Sequence, residues 1–191
     1  AIIGLLLVVL LAAGWTVASA AEESPTLLTL YEEPMTMTSS ETARVTANGY
    51  DLFVYDVMVN HEHIWNANTQ PTTTPMTYFD FEGRVRLEIT MPGLSSQIES
   101  AQVLPLACGI VPEVKDDTVS FLIDNPGQYT VVFNENVNKA LHIFANPLEE
   151  NVPDPNDPNV FYIDPGEWTM DAIVSEDNQT LYLSGGAVLH S

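Results

Sequence analysis

The sequence predicts an all-β protein whose main body is an antiparallel β-sandwich. After Ala20, apolar and polar residues alternate with a period of two, which is the pattern of strands buried on one face. Several such short segments follow one another with turn residues between them, and this arrangement favours a sandwich. Helical periodicity is almost absent from the same part of the chain, so helical architectures are not expected.

The clearest alternation lies in three segments, at residues 84–90, 118–123 and 128–134. The last two are separated by Asp124-Asn-Pro-Gly127, in which proline fixes φ at the first turn position and glycine accepts a positive φ at the next. The sequence therefore predicts a β-hairpin over Val119–Phe133. The predicted inward positions of the three segments are Val85, Leu87, Ile89, Val119, Phe121, Ile123, Tyr129, Val131 and Phe133.

Shorter apolar runs predict further strands at residues 52–59, 78–81, 101–106, 141–144, 160–163 and 181–183. Residues 50–60 are apolar on both sides over their first half, which predicts a central strand that is covered on both faces. Residues 66–75 and 146–159 are rich in Asn, Thr and Pro and are predicted to be loops. Four prolines in the second of these segments exclude both a helix and a central strand.

The first 20 residues are typical of an export signal. An apolar run at Ile2–Leu11 is followed by small residues at Ala18-Ser19-Ala20, which predicts cleavage between Ala20 and Ala21. The run is too short to span a bilayer comfortably, so we expect a secreted or periplasmic protein with no membrane attachment after cleavage. The alternative is a retained hydrophobic helix that packs in a filament core, as in pilin-like subunits.

The charge of the chain excludes several classes of partner. Five Lys and Arg residues stand against 26 Asp and Glu residues, and the formal net charge is −21. Nucleic-acid binding needs clustered cations, and anionic lipid surfaces also attract them, so neither partner is expected. The single cysteine, Cys108, cannot form an internal disulfide, and its apolar neighbours predict a small buried thiol in the core.

Two tryptophans are candidates for stacking on sugar rings. Trp65 and Trp168, together with Tyr78 and Tyr162, have flat aromatic rings that could stack on a glycan. Aromatic side chains also bury well inside sandwiches, so the alternative for both residues is a core position.

Two groups of residues could hold a metal, but each has a simpler interpretation. His61 and His63 would face the same side of a strand, yet no third ligand is evident and a polar strand end explains them. Asp154, Asp157 and Asp164 offer oxygen ligands suited to Ca²⁺, whereas Asx-turns that shape a rigid loop explain the same residues. We therefore expect neither a metal nor a cofactor.

Four segments of the carboxy-terminal part follow one another in a characteristic order, namely Leu141–Glu150, Val152–Val160, Tyr162–Gly166 and Leu181–Val188. Upstream of them lie Asp51–Val57, Tyr78–Phe81 and Val103–Pro112. Together these segments resemble a junction in dextranase- and isopullulanase-like glycoside hydrolases and in polygalacturonase-like relatives with the pectin-lyase fold. In those enzymes an N-terminal β-sandwich, to which the upstream segments are similar, leads into a right-handed parallel β-helix.

This resemblance implies a division of the chain. Gly185-Gly186 suits a sharp corner between two rungs of the helix, since glycine tolerates positive φ and close backbone approach. Both ends of the sequence look cut, so we expect a fragment. The expected parts are a signal peptide at 1–20, an N-terminal extension at 21–48, the sandwich at 49–146, a Pro-rich connector at 147–159 and the first turn of a truncated β-helix at 160–191.

The resemblance also implies a function. We expect the N-terminal part of a secreted glycoside hydrolase that acts on a polysaccharide, with the sandwich as an accessory cap. The family cuts glycosidic bonds with carboxylates on later rungs, so no catalytic residue is assigned in this chain. The alternatives are a non-catalytic carbohydrate-binding sandwich and the filament subunit; the sequence indicates no oligomeric state.

Overall fold

The structure is a computed structural model that describes residues 26–59, 72–173 and 176–190. The predicted signal segment and its cleavage site at Ala20 and Ala21 lie outside these ranges. Within them, no helix is long and apolar enough to cross a membrane. The described chain is almost entirely β, which confirms the predicted fold class.

Irregular stretches of ten or more residues separate some of the strands, at 30–43, 91–100 and 148–159. A single turn of 3-10 helix, at Leu106–Cys108, is found among the described residues. In chain order the strands are β1 (Leu27–Thr29), β2 (Arg44–Ala47), β3 (Tyr50–Leu52), β4 (Tyr55–Met58), β5 (Thr73–Glu82), β6 (Val85–Thr90), β7 (Ala101–Leu104), β8 (Glu113–Lys115), β9 (Thr118–Ile123), β10 (Gly127–Phe133), β11 (Asn136–Pro147), β12 (Val160–Ile163), β13 (Gly166–Thr169), β14 (Thr180–Leu183) and β15 (Ala187–His190).

The first eleven strands form two sheets that share one core. The six-stranded sheet has the order β1-β5-β11-β10-β7, and β4 pairs with the amino-terminal part of β5. The five-stranded sheet has the order β3-β2-β6-β9-β8. Every pairing in the two sheets is antiparallel except that of β5 with β11, which is parallel. β1 and β2, which the sequence places in an N-terminal extension, are strands of these sheets.

The core consists of inward side chains from both sheets. Phe79, Phe81, Leu141 and Ile143 reach it from the six-stranded sheet and are almost fully buried. Burying each side chain of this size stabilises the fold by about 1.5–3 kcal/mol. The inward positions predicted from alternation are all buried, namely Val85, Leu87, Ile89, Val119, Phe121, Ile123, Tyr129, Val131 and Phe133.

The predicted hairpin over Val119–Phe133 is wrong. β9 pairs with β6 and β8 in the five-stranded sheet, whereas β10 pairs with β7 and β11 in the six-stranded sheet. The chain passes from one sheet to the other at residues 124–126, whereas Gly127, which was predicted to take a positive φ in the turn, has none and begins β10. The Tyr129 hydroxyl donates a hydrogen bond to the Asn125 carbonyl oxygen at 2.6 Å and holds this crossing. The turn residues mark the end of one strand, and packing decides which sheet receives the next.

The predicted central strand at residues 50–60 is also wrong. β3 lies at an edge of the five-stranded sheet, and β4 lies at an edge of the six-stranded sheet. The chain changes sheet at Phe53 and Val54. Leu52, at the end of β3, and Val54, in the connection to β4, are both buried in the core. Here, apolar residues at both alternating positions mark the place where the chain crosses between the sheets. They do not mark a central strand that is buried on both faces.

Cys108 is exposed, so the predicted buried thiol is wrong. The predicted strand at residues 101–106 ends at Leu104, and the following peptide bond to Pro105 is cis. The chain then forms the 3-10 turn on the surface, where none of its residues is buried. The apolar composition around Cys108 thus belongs to a surface turn.

The last four strands form a separate unit, which we call the rung pair (residues 160–169 and 180–190). β12 pairs with β14, and β13 pairs with β15, and both pairings are parallel. Val160 lies opposite Thr180 and Gly166 lies opposite Ala187, so the chain returns to the same position after about 20 residues. Each rung bends between its two strands. The predicted strand at residues 160–163 is confirmed.

Candidate functional site

The rung pair meets the sandwich beneath a short segment, Leu30–Thr36, which we call the strap. The strap leaves β1 and passes over the corner at Gly185-Gly186. A Cβ atom at Gly185 would overlap with the ring of Tyr31, so only glycine leaves room for that ring. Gly186 has φ +82° and forms the turn itself. The glycine pair therefore serves both the bend of the rung and its contact with the strap.

Tyr31 also connects the strap to the sandwich. Its hydroxyl donates a hydrogen bond to Oδ2 of Asp80, which is 6% exposed on β5. Asn146 Nδ2 donates to the other oxygen, Oδ1, at 3.2 Å. The ring of Tyr31 stacks on that of Tyr78 with centroids 5.1 Å apart. A buried carboxylate needs such donors, so Asp80 fixes the strap against the six-stranded sheet.

The far end of the strap is held by Glu167, on β13 of the rung pair. The Thr36 backbone N–H donates to Oε1 of Glu167 at 2.7 Å, and the Thr36 hydroxyl donates to Oε2. His190 Nε2 lies 3.1 Å from the same Oε2. The hydrogen bonds from Thr36, and then the nearby His190, lower the pKa of Glu167 from its ordinary value of 4.5. Glu167 is therefore a carboxylate at neutral pH.

Three tyrosines around the junction stay protonated. Burial, followed by the hydrogen bond to Asp80, raises the pKa of Tyr31. Burial and a hydrogen bond to Tyr78 raise the pKa of Tyr55, and burial and a hydrogen bond to Glu149 raise the pKa of Tyr182. Phenols in this state donate hydrogen bonds throughout the neutral range. They cannot serve as bases there.

Two clefts open on either side of Tyr31. One, of about 610 Å³, is lined by residues of the sandwich and connector, including Tyr78, Asp80 and Glu149, and by Leu183. The other, of about 390 Å³, lies under the strap. Both volumes are within the range of ligand sites. Their carboxylates and phenols suit hydrogen bonding to the hydroxyl groups of a neutral, polar ligand such as a sugar.

Asp80 and Glu167 do not form the pair that glycoside hydrolysis requires. Such a pair needs one carboxyl group that stays protonated as the acid, beside a second as base or nucleophile. Asp80 already accepts hydrogen bonds at both oxygens, and the pKa of Glu167 is lowered. These two carboxylates are thus suited to positioning the strap.

The two predicted sugar-stacking residues have different outcomes. Trp65 lies outside the described residues. Trp168 is 39% exposed, and its indole Nε1 donates a hydrogen bond to the Asp164 carbonyl oxygen at 2.9 Å. Leu189, which is 37% exposed, lies opposite Trp168 in the neighbouring strand. Trp168 therefore presents a fixed aromatic ring at the surface, and its predicted role in sugar stacking stays a prediction.

Two of the three aspartates, Asp154 and Asp157, form the predicted Asx-turns, whereas Asp164 accepts the Trp168 indole N–H through its backbone carbonyl. Asp154 Oδ1 accepts a hydrogen bond from the Asn156 backbone N–H at 2.9 Å, and Asp157 Oδ1 accepts one from the Asn159 backbone N–H at 2.8 Å. Within the described ranges, no group of three or more His, Cys, Asp or Glu residues is arranged to hold a metal. His61 and His63 lie outside those ranges.

Sequence reasoning missed the residues that hold the junction together. Tyr31, Thr36, Asp80, Glu167 and His190 come from segments far apart in the chain. Gly185-Gly186 predicted a corner, but nothing near it indicates that a tyrosine ring occupies the space. Only the folded chain brings these groups together.

Comparison with known proteins indicates the fold. No protein-family model matches the sequence, and a search of curated proteins finds no match. The structure is similar to that of the dextranase Dex49A from Penicillium minioluteum, with a TM-score of 0.57 and 16% sequence identity. The match covers 84% of this chain and 44% of that chain, so this chain spans less than half the length of the dextranase. The likeness is one of fold.

Proposed function

We propose that the intact protein is a secreted glycoside hydrolase that acts on a polysaccharide. In this proposal, the described residues form an accessory sandwich that caps a parallel β-helix. The observation that carries the proposal is the rung pair, in which two parallel ladders repeat after about 20 residues. A fold shared with part of a dextranase supports the same assignment.

The role of a cap follows from the physics of stacked rungs. A terminal rung cannot bury its own outer face, so it needs a different element against it. The sandwich and the strap supply that element: Asp80 holds Tyr31 of the strap, and Thr36 of the strap donates to Glu167 on the rung pair. Among the described residues, β14 pairs only with β12 and β15 pairs only with β13, so each has one open edge. Leu181 and Leu183 on β14 are 45% and 44% exposed. Open strand edges of this kind invite further pairing.

The natural gene tests the proposal directly. We expect the gene to encode, after Ser191, repeats of roughly 20–30 residues, each of which forms a further rung. The protein expressed from that gene should release reducing sugars from at least one member of a panel of dextran, pullulan and polygalacturonate. Replacing the paired carboxylates that later rungs expose to the substrate with amides should abolish this release while the secreted yield stays unchanged. A downstream sequence without such repeats would contradict the assignment.

Export is tested on the same material. We expect the intact mass of the secreted protein to correspond to a start at Ala21. A mass that retains the first 20 residues would instead support the alternative of a filament subunit with a hydrophobic helix, whose segment lies outside the described residues.

A second function, carbohydrate binding without catalysis, is favoured by the exposed ring of Trp168. In that case the chain from Ala21 to Ser191 should sediment with an insoluble glycan, and Trp168→Ala should weaken binding by about ten-fold, the effect of losing one stacked ring. Phe161→Ala is the matched control, since Phe161 is 46% exposed elsewhere on the rung pair. Unchanged binding after Trp65 and Trp168 are both replaced with alanine would exclude this role for them.

A further inference from the structure

The outer face of the five-stranded sheet has a charge unlike that of the rest of the chain. Its inward positions are the buried apolar residues, so the alternate positions of β2, β6 and β8 point outwards. Four of the five Lys and Arg residues lie on this face or at its end, beside carboxylates that include Asp51, Glu88, Glu113, Asp117 and Asp124. These four cations are Arg44, Arg84, Arg86 and Lys115. In a chain of net charge −21, this is the region where an anion meets the least repulsion.

The cations of this face are of two kinds. Arg84 pairs with Asp124 at 2.6 Å and Arg86 pairs with Glu88 at 3.2 Å, so their charges are locally balanced. Within the described ranges, Arg44 and Lys115 make no ion pair with a carboxylate. Both are exposed. They are therefore free to bind an anionic group from outside.

Arg44 and Lys115 lie at the two ends of one row across the sheet. Arg44 is opposite Thr90, Thr90 is opposite Thr118, and Thr118 is opposite Lys115. With a strand spacing of about 4.8 Å, the two cations stand roughly 14 Å apart with two threonine residues between them. A ligand that matches this row is extended, carries negative charge and has hydroxyl groups along its length.

A cleft of about 630 Å³ opens beside Arg44 at this end of the row. Thr90, Ser95, Ser96 and Gln97 line it with hydroxyl and amide groups, which can bond to sugar hydroxyls. The one carboxylate in the lining, Asp117, accepts a hydrogen bond from the Ile98 backbone N–H at 2.9 Å. Arginine binds carboxylate and sulfate groups through paired hydrogen bonds, so Arg44 is the residue of this cleft that suits an anionic ligand.

We propose that the outer face of the five-stranded sheet is a binding site for an anionic oligosaccharide, with Arg44 as its anchor. The carboxylate or sulfate group of one sugar binds Arg44 in the cleft, and the chain extends along the row of Thr90 and Thr118 towards Lys115. The site lies on a sheet other than the one that contacts the rung pair. It binds glycan without cutting it, so it is separate from the proposed hydrolysis.

The test is a titration of the chain with oligosaccharides, in which binding is measured by isothermal calorimetry or by NMR of the backbone amides. The probes are a galacturonic acid tetramer, a sulfated heparin-derived tetrasaccharide, a neutral galactose tetramer and a glutamate peptide of matched charge. The variants are Arg44→Gln and Lys139→Gln. Lys139 is the fifth cation and lies exposed on β11 of the other sheet, so both variants change the net charge equally.

We expect at least one acidic tetramer to bind and to shift the backbone amide resonances of Arg44, Thr90 and Gln97. The acidic tetramer that binds more tightly shows whether the site prefers carboxylate or sulfate. Arg44→Gln should weaken this binding by about ten-fold or more, the usual effect of losing a charged hydrogen-bond pair. Lys139→Gln should change it by less than about two-fold, since salt screens distant charges.

Four results would overturn the proposal. These are no binding of either acidic tetramer at 10 mM, equal binding of the neutral tetramer, equal binding of the glutamate peptide, or equal losses in the two variants. Because the assay involves no hydrolysis, any of these results would leave the proposed glycosidase activity to its own test.

Discussion

The sandwich and the rung pair are both built from short strands, yet they are stabilised in different ways. In the sandwich, two sheets close over side chains such as Phe133 and Leu87, which are 0% exposed. In the rung pair, Ile163 is the one apolar side chain that is buried, while Phe161 and Leu181 are 46% and 45% exposed. A single pair of rungs has no second layer to cover it.

The difference shows where each region obtains its stability. The sandwich buries its own apolar faces and satisfies the requirement for an independent core. The rung pair depends on contacts from outside it, through Tyr31 at the glycine corner and Thr36 at Glu167. We therefore expect substitutions in the sandwich to unfold the whole chain, and substitutions at the strap to release the rungs alone.

The largest expected effect comes from truncating the core. Phe133→Ala should lower the free energy of unfolding by about 3–5 kcal/mol, because a buried aromatic ring leaves a cavity. Phe161→Ala, the same change on the rung pair, should cost less than about 1 kcal/mol because the ring is already half exposed. Urea denaturation followed by tryptophan fluorescence measures both. Equal losses would mean that the rungs are packed as tightly as the sandwich.

A smaller and local effect is expected at the glycine corner. Gly185→Ala places a Cβ atom in the space of the Tyr31 ring, and overpacking of this kind costs about 1–3 kcal/mol. Hydrogen exchange should show faster exchange in β12 to β15 and unchanged protection in β6 and β9. Tyr31→Ala should lower the free energy of unfolding less in the Gly185→Ala variant than in the unmodified chain, because the two residues share one contact.

The control for the glycine corner is Gly127→Ala. A Cβ atom there would meet the Tyr129 ring at 3.6 Å, an ordinary contact, so the change in stability should stay below about 1 kcal/mol. If Gly185→Ala has no larger effect than this control, the strap does not hold the corner.

The smallest expected effect is a pH dependence at the strap. The pKa of Glu167 is below its ordinary 4.5 in the folded chain, so its contribution to stability is complete above that pH and is lost as the pH falls through the folded value. Acid should therefore loosen the strap while the sandwich stays folded. Titration of the Glu167 carboxyl carbon by NMR measures the midpoint.

Two threonine variants identify the cause of this shift. Thr36→Val removes the hydroxyl donor, so the pKa of Glu167 should rise towards 4.5. Thr38→Val is the matched control, because Thr38 lies exposed two residues further along the same connection. Identical midpoints in the Thr36 variant and the unmodified chain would show that Thr36 does not set the pKa.

The sequence predicted strands and their inward faces well because these depend on neighbouring residues. Alternation at Val85, Leu87 and Ile89 specifies which side of a strand is apolar, and all three are buried. It predicted a break between two strands near residues 124–127 for the same reason, and the strands are interrupted at 124–126. It did not predict that the chain crosses there to the other sheet, because a turn of this kind is compatible with both outcomes.

The candidate site was predicted only in part. Trp168 was identified as a surface candidate, and Gly185-Gly186 as a corner. The strap was not identified, because Tyr31 and Thr36 have no local pattern that marks them. Cys108 was placed in the core because its neighbours are apolar, whereas the chain turns outwards after Pro105. Composition around a residue does not determine which way the backbone turns.

By itself the sequence determined the all-β class, the inward faces of the strands, the Asx-turns of the connector and the strongly acidic charge. These properties follow from the period of apolar residues, from side chains that bond within two residues, and from residue counts. The tertiary structure alone decided which sheet each strand joins, which ring fills the space at Gly185 and which cations share one face. Those features depend on packing between segments that are distant in the chain. Strands with the same local pattern of residues could have been combined in other ways.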